Sequence, residues 1–343
     1  MQDDPGLRLV RMMCSGVYDF QILRMQTGLR LSANFRSKLG LTPKDPVKSA
    51  EGPEEEISEE ESEEIKEAEK IIDRLRAEYT RMCEGVAIRR TIPTERGFKG
   101  GELISTYAEL QLIDQYFEIE KQEKKMFRQL GNALSKLPIW NNYLEGVPGI
   151  GPAMGAVLVS YFDIYKAHHP SLFWAYAGLD VAPDGFGRSR REEHLVERQY
   201  KAKDGTIKTK RSVTYEPWLK ARLYGAMGVS FMRTKNCPWK KVYDDYRHRL
   251  ETDPNRYRVT SAVYKKAHKD KDPRTREMWP PLRIHLASMR YMIKMFLAEF
   301  WREWRIMEGL PLNPYNPDSK TGTYAEDKLG MPPHGQPRSE AAE

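Results

Sequence analysis

The feature that most constrains this chain is a spacing. Between residues 103 and 137, Leu112, Tyr116, Ile119, Met126, Leu130, Ala133 and Leu137 recur in alternating steps of three and four, with Glu123 as the one charged member. A seam of that period commits the segment to a long helix, because only an α-helix gathers such positions on one side. Upstream, Ile65, Ala68, Ile72, Leu75, Tyr79 and Met82 keep the same steps. A second apolar row (Leu110, Ile113, Phe117, Phe127, Leu134) widens the buried face of the later helix. The stretch "RRTIPTERGFKGGE" breaks the two apart. Residues 65–138 therefore read as a coiled-coil hairpin within one chain or, equally, as the arm of a coiled-coil dimer.

Around this core the chain divides further. Residues 1–39 form an N-terminal helical arm with Leu9, Met13, Val17, Ile22, Met25 and Leu29 at helical spacing. Residues 40–64 are an acidic linker, rich in Pro, Gly and charge. Residues 139–250 and 251–309 read as two further helical regions, and residues 310–343 as a disordered tail. Two strands near residues 195–201 and 206–212 flank Asp204-Gly205, the dipeptide of a tight β-hairpin turn. Outside that hairpin nothing reads as a strand, so the expected fold is mainly α with one small β-hairpin.

Composition narrows the function classes. With 343 residues, 31% charged and a mean hydropathy of −0.70, the chain has no apolar run of membrane-spanning length. The last long helix is interrupted by His285, Arg290, Lys294 and Glu299. No apolar signal core stands at the N-terminus, and Cys14, Cys83 and Cys237 lack metal-ligand spacing. A cytoplasmic protein with reduced thiols is the expectation. Net charge is +7, yet residues 51–64 hold nine glutamates and no cation. Without that block the chain carries +16. A body this basic points to a polyanionic partner, DNA first and structured RNA as the alternative.

The stretch "LEGVPGIGPAMGAVLV", residues 144–159, carries the sharpest signal. Gly149 and Gly151 flank Ile150, and Pro152 sits where the next helix begins. Glycine permits left-handed dihedrals and close approach of a ligand to the backbone, and proline suits the first helical position. Free N–H groups and the positive helix end then favour an anion. Ile150 points inward, and Val147 starts the turn. This is the pattern of a helix-hairpin-helix, which holds backbone phosphate without reading base identity. A tight turn joining two helices without a ligand is the bland alternative.

The same stretch, followed by "FWAYAGL" at residues 173–179, resembles the C-terminal domain of the insertion-sequence one-ten family of transposases. "PWLKARLYGAMGVSFMR" is similar to that family's next helix, and the resemblance extends over residues 140–309. It implies a helix-hairpin-helix, transposase-like domain beside a coiled-coil helical arm, with DNA as partner and DNA recombination in a mobile element as activity. It also implies a serine nucleophile shortly after "AYAGL". The matching positions hold Gly185 and Phe186, and the nearest serine is Ser189 in "GFGRSRR". The family's N-terminal nuclease-like domain, with four acidic metal ligands, has no counterpart in residues 1–50.

Ser189 is thus the one candidate nucleophile, with a solvated loop hydroxyl as its plain alternative. A serine attacking a phosphodiester needs a proton acceptor and cations. Arg188, Arg190 and Arg191 supply cations, and the sequence names no base. Lys208, Lys210 and Arg211 on the hairpin join Lys220 and Arg222 on the next helix as expected DNA contacts, alongside Val147, Gly149, Ile150 and Gly151 of the turn. Tyr200 could stack on a base, whereas a lysine-rich edge that blocks aggregation explains the hairpin equally well. Asp163 and Asp180 fit helix-end and turn roles, and His168-His169 fit capping or surface roles. Seven scattered histidines give no metal site, and no cofactor is expected. A non-enzymatic nucleic-acid-binding protein or a coiled-coil scaffold remains the alternative class.

Overall fold

The computed structural model describes residues 4–41, 59–83, 91–182, 184–202, 205–270 and 272–312. The chain is mainly helical with one antiparallel two-stranded hairpin, and it divides into two compact units.

The first unit comprises Arg8–Ala133. It contains most of α1 (Pro5–Phe35), α2 (Glu59–Met82) and most of α3 (Tyr107–Leu134). The expected arm and hairpin are therefore one packed body. Helix α2 begins within the expected linker, while residues 42–58 of that linker lie outside the described residues. Arg76 grips Glu120 at 2.9 and 3.0 Å, and the Tyr79 hydroxyl donates to Asp114 at 2.6 Å, so α2 and α3 pair within one chain.

Of the apolar row expected on α1, only Val17 is buried. Val10, Cys14, Val17, Gly28, Leu31 and Phe35 face the core, whereas Leu9, Ile22 and Met25 are exposed. The buried row keeps the alternating steps of three and four only if Gln21 and Arg24 are counted, and those polar positions disguise it. Arg24 bonds Glu123, the charged member of the α3 seam, so each polar intruder answers the other. Gly28 is small because a Cβ there would lie 3.0 Å from Ile72 and 3.1 Å from Tyr116. On α3, Leu110 and Ile113 are buried and Leu112 is exposed, so the seam faces a three-helix core. The buried Glu78 carboxylate accepts from the Leu103 and Ile104 N–H groups at 3.0–3.1 Å, ending the loop before α3.

The second unit holds Met1–Leu7 and Leu134–Glu343. Its helices are α4 (Pro138–Asn142), α5 (Pro152–Tyr161), α6 (Pro170–Tyr176), α7 (Pro217–Arg222), α8 (Val229–Arg233), α9 (Pro238–Thr252), α10 (Ser261–Lys269) and α11 (Pro281–Met307). Strands β1 (Val196–Lys201) and β2 (Ile207–Ser212) form the expected hairpin, with Gly205 at φ 81° in its turn. A second, unexpected pair joins β3 (Tyr257–Arg258) in parallel to β4 (Met278–Trp279); two residues are too short for an alternating pattern to show.

Helix α11 runs through the core, flanked by Phe162, Phe173, Phe231 and Trp239. Trp301 donates to the Ala167 carbonyl at 2.7 Å, and Arg305 donates to Ile164 and Ala167 at 3.0 Å. Between α7 and α8, residues Leu223–Gly228 form a π-turn. Leu219, Leu223, Met227 and Phe231, all buried, repeat every fourth residue. That period is wider than an α-helix provides, and the π-turn keeps them facing the core. Ala226, one residue before Met227, is exposed. The expected tail, from residue 313 on, lies outside the described residues.

Candidate nucleic-acid interface and serine site

At the glycine turn Gly149 takes the left-handed dihedral expected of it, and Gly151, at φ −94°, does not. Gly149 has φ 95°, Ile150 is buried, and Pro152 opens α5. A Cβ on Gly149, however, would lie 2.9 Å from Phe231 and 3.2 Å from Thr234. The Ser230 hydroxyl donates to the Gly149 carbonyl at 2.7 Å, and Cys237 Sγ to that of Pro148 at 3.4 Å. The close approach at Gly149 is therefore made by α8 of the same chain, which corrects the expectation that a phosphate requires it. Gly151 differs: it is exposed and a Cβ there would meet open space. Val147 is buried like Ile150, so both serve packing.

Ser189 sits in a tightly bonded loop. Its Oγ lies 3.0 Å from His194 Nδ1, and His194 Nε2 lies 2.9 Å from Asp184 Oδ2. The backbone N–H of Ser189 also donates to Nδ1 at 3.1 Å, and the Arg191 N–H donates to Ser189 Oγ at 3.3 Å. Asp184 fixes the ring with hydrogen on Nε2, which leaves Nδ1 as the acceptor toward the serine. Burial raises the Asp184 pKa, but the Phe186 N–H, His194 and Arg191 outweigh it and hold the carboxyl below its usual range. The sequence left the serine without a base; the structure brings His194 to it. The eleven residues from Asp184 to His194 are loop with one isolated bridge at Gly187 and a single turn of 3₁₀ helix, so no periodic pattern could have joined them.

The expected cations differ in their surroundings. Arg188 is ion-paired to Asp180 at 2.7 Å, and Lys220 donates to the Arg188 carbonyl at 2.6 Å. Arg211 is held by Glu192. Arg222 lies 5.0 Å over Trp218, and Arg191 4.8 Å over Phe186. Arg190 is exposed beside Ser189.

Hairpin register sorts the remaining charges. Directly opposite residues share a face, so Arg198 faces Lys210 and Tyr200 faces Lys208 on one side. Every residue of both strands but Ser212 is exposed. Like charges placed directly opposite destabilise a ribbon by roughly 0.2–1 kcal/mol, and a two-stranded hairpin has little stability to spare. The other face is less cationic, with Glu197 opposite Arg211 and Lys201 opposite Ile207.

A cation-rich face was missed. Arg283, Arg290 and Lys294 lie on one stripe of α11, and the sequence signal was present in the charges that interrupt its apolar run. Arg283 lies 4.6 Å over Phe186 and 4.2 Å over Trp279 and donates to the Arg276 and Met278 carbonyls at 2.7 and 2.6 Å. Burial, chiefly, and the charges of Arg191, Arg256 and Arg290 push its pKa down to about 10, against an opposing effect of Tyr264. Lys294 lies 4.2 Å over Trp174. Arg290 presses its guanidinium against Gly187, where a Cβ would sit 1.8 Å from Nη1.

Compared with known proteins, the chain matches no family model, no curated protein and no solved structure. The site's own geometry therefore carries the functional reading. Asp163 and His169 occupy the turn and cap roles expected of them: Asp163 accepts from the Tyr165 N–H at 3.1 Å and His169 from the Ser171 N–H at 3.2 Å. Donor atoms of Asp184, Glu193 and His194 lie within 4.8 Å of one another. Glu193 is also engaged by Arg276 at 2.7 Å, and His194 by Asp184. Among the described residues no helix is long and apolar enough to cross a membrane.

Proposed function

We propose that this chain is a DNA-binding, transposase-like recombinase that uses Ser189 as a nucleophile on a backbone phosphate. The observation that carries the reading is the chain Ser189–His194–Asp184 at 3.0 and 2.9 Å, set among Arg188, Arg190 and Arg191. Ser189 Oγ bonds to phosphorus as the bond from phosphorus to a nucleoside oxygen breaks. Its proton passes to His194 Nδ1 and returns to the leaving oxygen, while Asp184 stabilises the imidazolium. Arg190 and Arg191 hold charge developing on the phosphate oxygens. No cofactor takes part in that step.

The cationic hairpin face and the exposed end of α5 at Gly151 hold the backbone without reading sequence, and structured RNA is the alternative polyanion. Two copies joined through the helical unit, whose exposed α1 carries Leu9, Met12, Leu23 and Met25, would set two serines on one DNA. The second reading, a non-enzymatic nucleic-acid-binding protein, is favoured by the N–H bonds that Ser189 and Arg191 contribute, since they suit a serine that only ties the loop. Incubation with labelled duplex DNA followed by denaturing electrophoresis separates the two. A protein–DNA adduct formed by the wild type and absent in Ser189→Ala supports the recombinase. Tight DNA binding with no adduct under any substrate geometry leaves the binding protein.

A further inference from the structure

We propose that Arg290 and Lys294 form a phosphate-binding site beside the Ser189 loop. The nucleic-acid source of that phosphate rests on the reading above; the site itself rests on geometry.

The two cations stand one turn apart on α11, where like charges repel. Both are half-buried, and neither has an anion within ion-pair distance among the described residues. Asp180, the carboxylate whose charge reaches Lys294, spends Oδ2 on Arg188 Nε and Nη2 at 3.0 and 2.7 Å, and its buried Oδ1 bonds to neither cation. A charge withdrawn from water without a partner is costly, and such a cost persists where a ligand supplies the counter-charge. The Arg290 guanidinium lies against Gly187, in the space a Cβ there would occupy, and Gly187 is two residues from Ser189. Trp174 supports Lys294 on its aromatic face and donates its indole N–H to the Lys294 carbonyl at 3.0 Å. Tyr224, in the π-turn, feels the Arg290 charge, but burial dominates and raises its pKa to about 12. π-Turns recur at functional sites. Two cations one turn apart on a helix make a site suited to one phosphate group.

The test uses the full chain, with Arg290→Gln, Arg290→Lys and Lys294→Gln compared with wild type. Fluorescence anisotropy with duplex DNA across a salt series is one arm, and the thermal shift on adding pyrophosphate is the other. For a backbone phosphate, each neutral variant should bind DNA more weakly and lower the salt slope by about one unit, with Arg290→Lys recovering part of the affinity. The ligand-free Lys294→Gln protein should melt no lower than wild type, because it loses an uncompensated charge; a cation kept for folding alone would give a lower Tm. A pyrophosphate shift lost in the variants, with DNA affinity unchanged, assigns the site to a free phosphate compound. If wild type binds no DNA, the nucleic-acid reading falls and the pyrophosphate arm alone decides the site. Folded variants with wild-type DNA affinity, slope and pyrophosphate response overturn the proposal. Should Arg290→Gln fail to fold, Lys294→Gln and Arg290→Lys carry the same comparison.

Discussion

Gly149 and Gly151 stand two residues apart and answer to different constraints. Gly149 combines φ 95° with contact to Phe231, so Gly149→Val should destabilise the second unit by about 1–3 kcal/mol from backbone strain, with crowding added. Gly151 has φ −94° and open space, so Gly151→Val should keep the wild-type Tm and, if the turn touches phosphate, weaken DNA binding. Thermal melts and anisotropy read both outcomes; a Gly149→Val protein as stable as wild type would contradict the packing role. Lys294 gives a pH signature. Burial, first, and Arg290 pull its pKa down to about 8, with Asp180 opposing. The unfolded chain keeps that proton up to about 10.4. Between those values the unfolded state binds more protons, so stability should rise with pH above about 8 and be flat in this respect below it. Lys294→Gln should remove that rise in Tm, and an unchanged slope would assign the titration elsewhere. The sequence pointed to Ser189 but not to His194 or Asp184, because three loop residues converge through backbone turns that leave no spacing rule.

At the scale of elements, heptad arithmetic made α2 and α3 readable, and polar residues in the seam hid α1. Arg24 and Glu123 break two apolar rows at the one layer where they meet. Arg24→Met should therefore leave a buried carboxylate unpaired and cost several kcal/mol, toward the lower end of about 3–5 because Arg24 is partly solvated. Adding Glu123→Met should recover most of the loss; a double variant no better than the single one would contradict the pairing. The hairpin was legible from Asp204-Gly205 and its alternation, while its segregation of charge needed the register. The π-turn was written in the repeat of Leu219, Leu223, Met227 and Phe231, a step of four that an uninterrupted α-helix does not sustain.

For the whole molecule, the mainly α architecture followed from composition and period, whereas the joining of arm and hairpin into one unit required the Arg24–Glu123 and Lys38–Glu109 bonds to be seen. Those partners lie some seventy to a hundred residues apart, beyond any local pattern. The charge asymmetry between residues 51–64 and the rest of the chain belongs to this scale too, since a basic body carries a long-range positive field. The most direct measurement is duplex-DNA binding by the wild-type chain, followed by anisotropy as salt rises from about 50 to 200 mM. Contact with six or more phosphates through the hairpin, the glycine turn and α11 should lower affinity by about three orders of magnitude or more over that range. Arg198→Gln with Lys210→Gln, which removes the facing like charges, should reduce the slope by about two units while leaving the hairpin at least as stable. Absence of binding at low salt, or binding indifferent to salt and to these substitutions, would contradict the assignment of this chain to nucleic-acid backbone recognition.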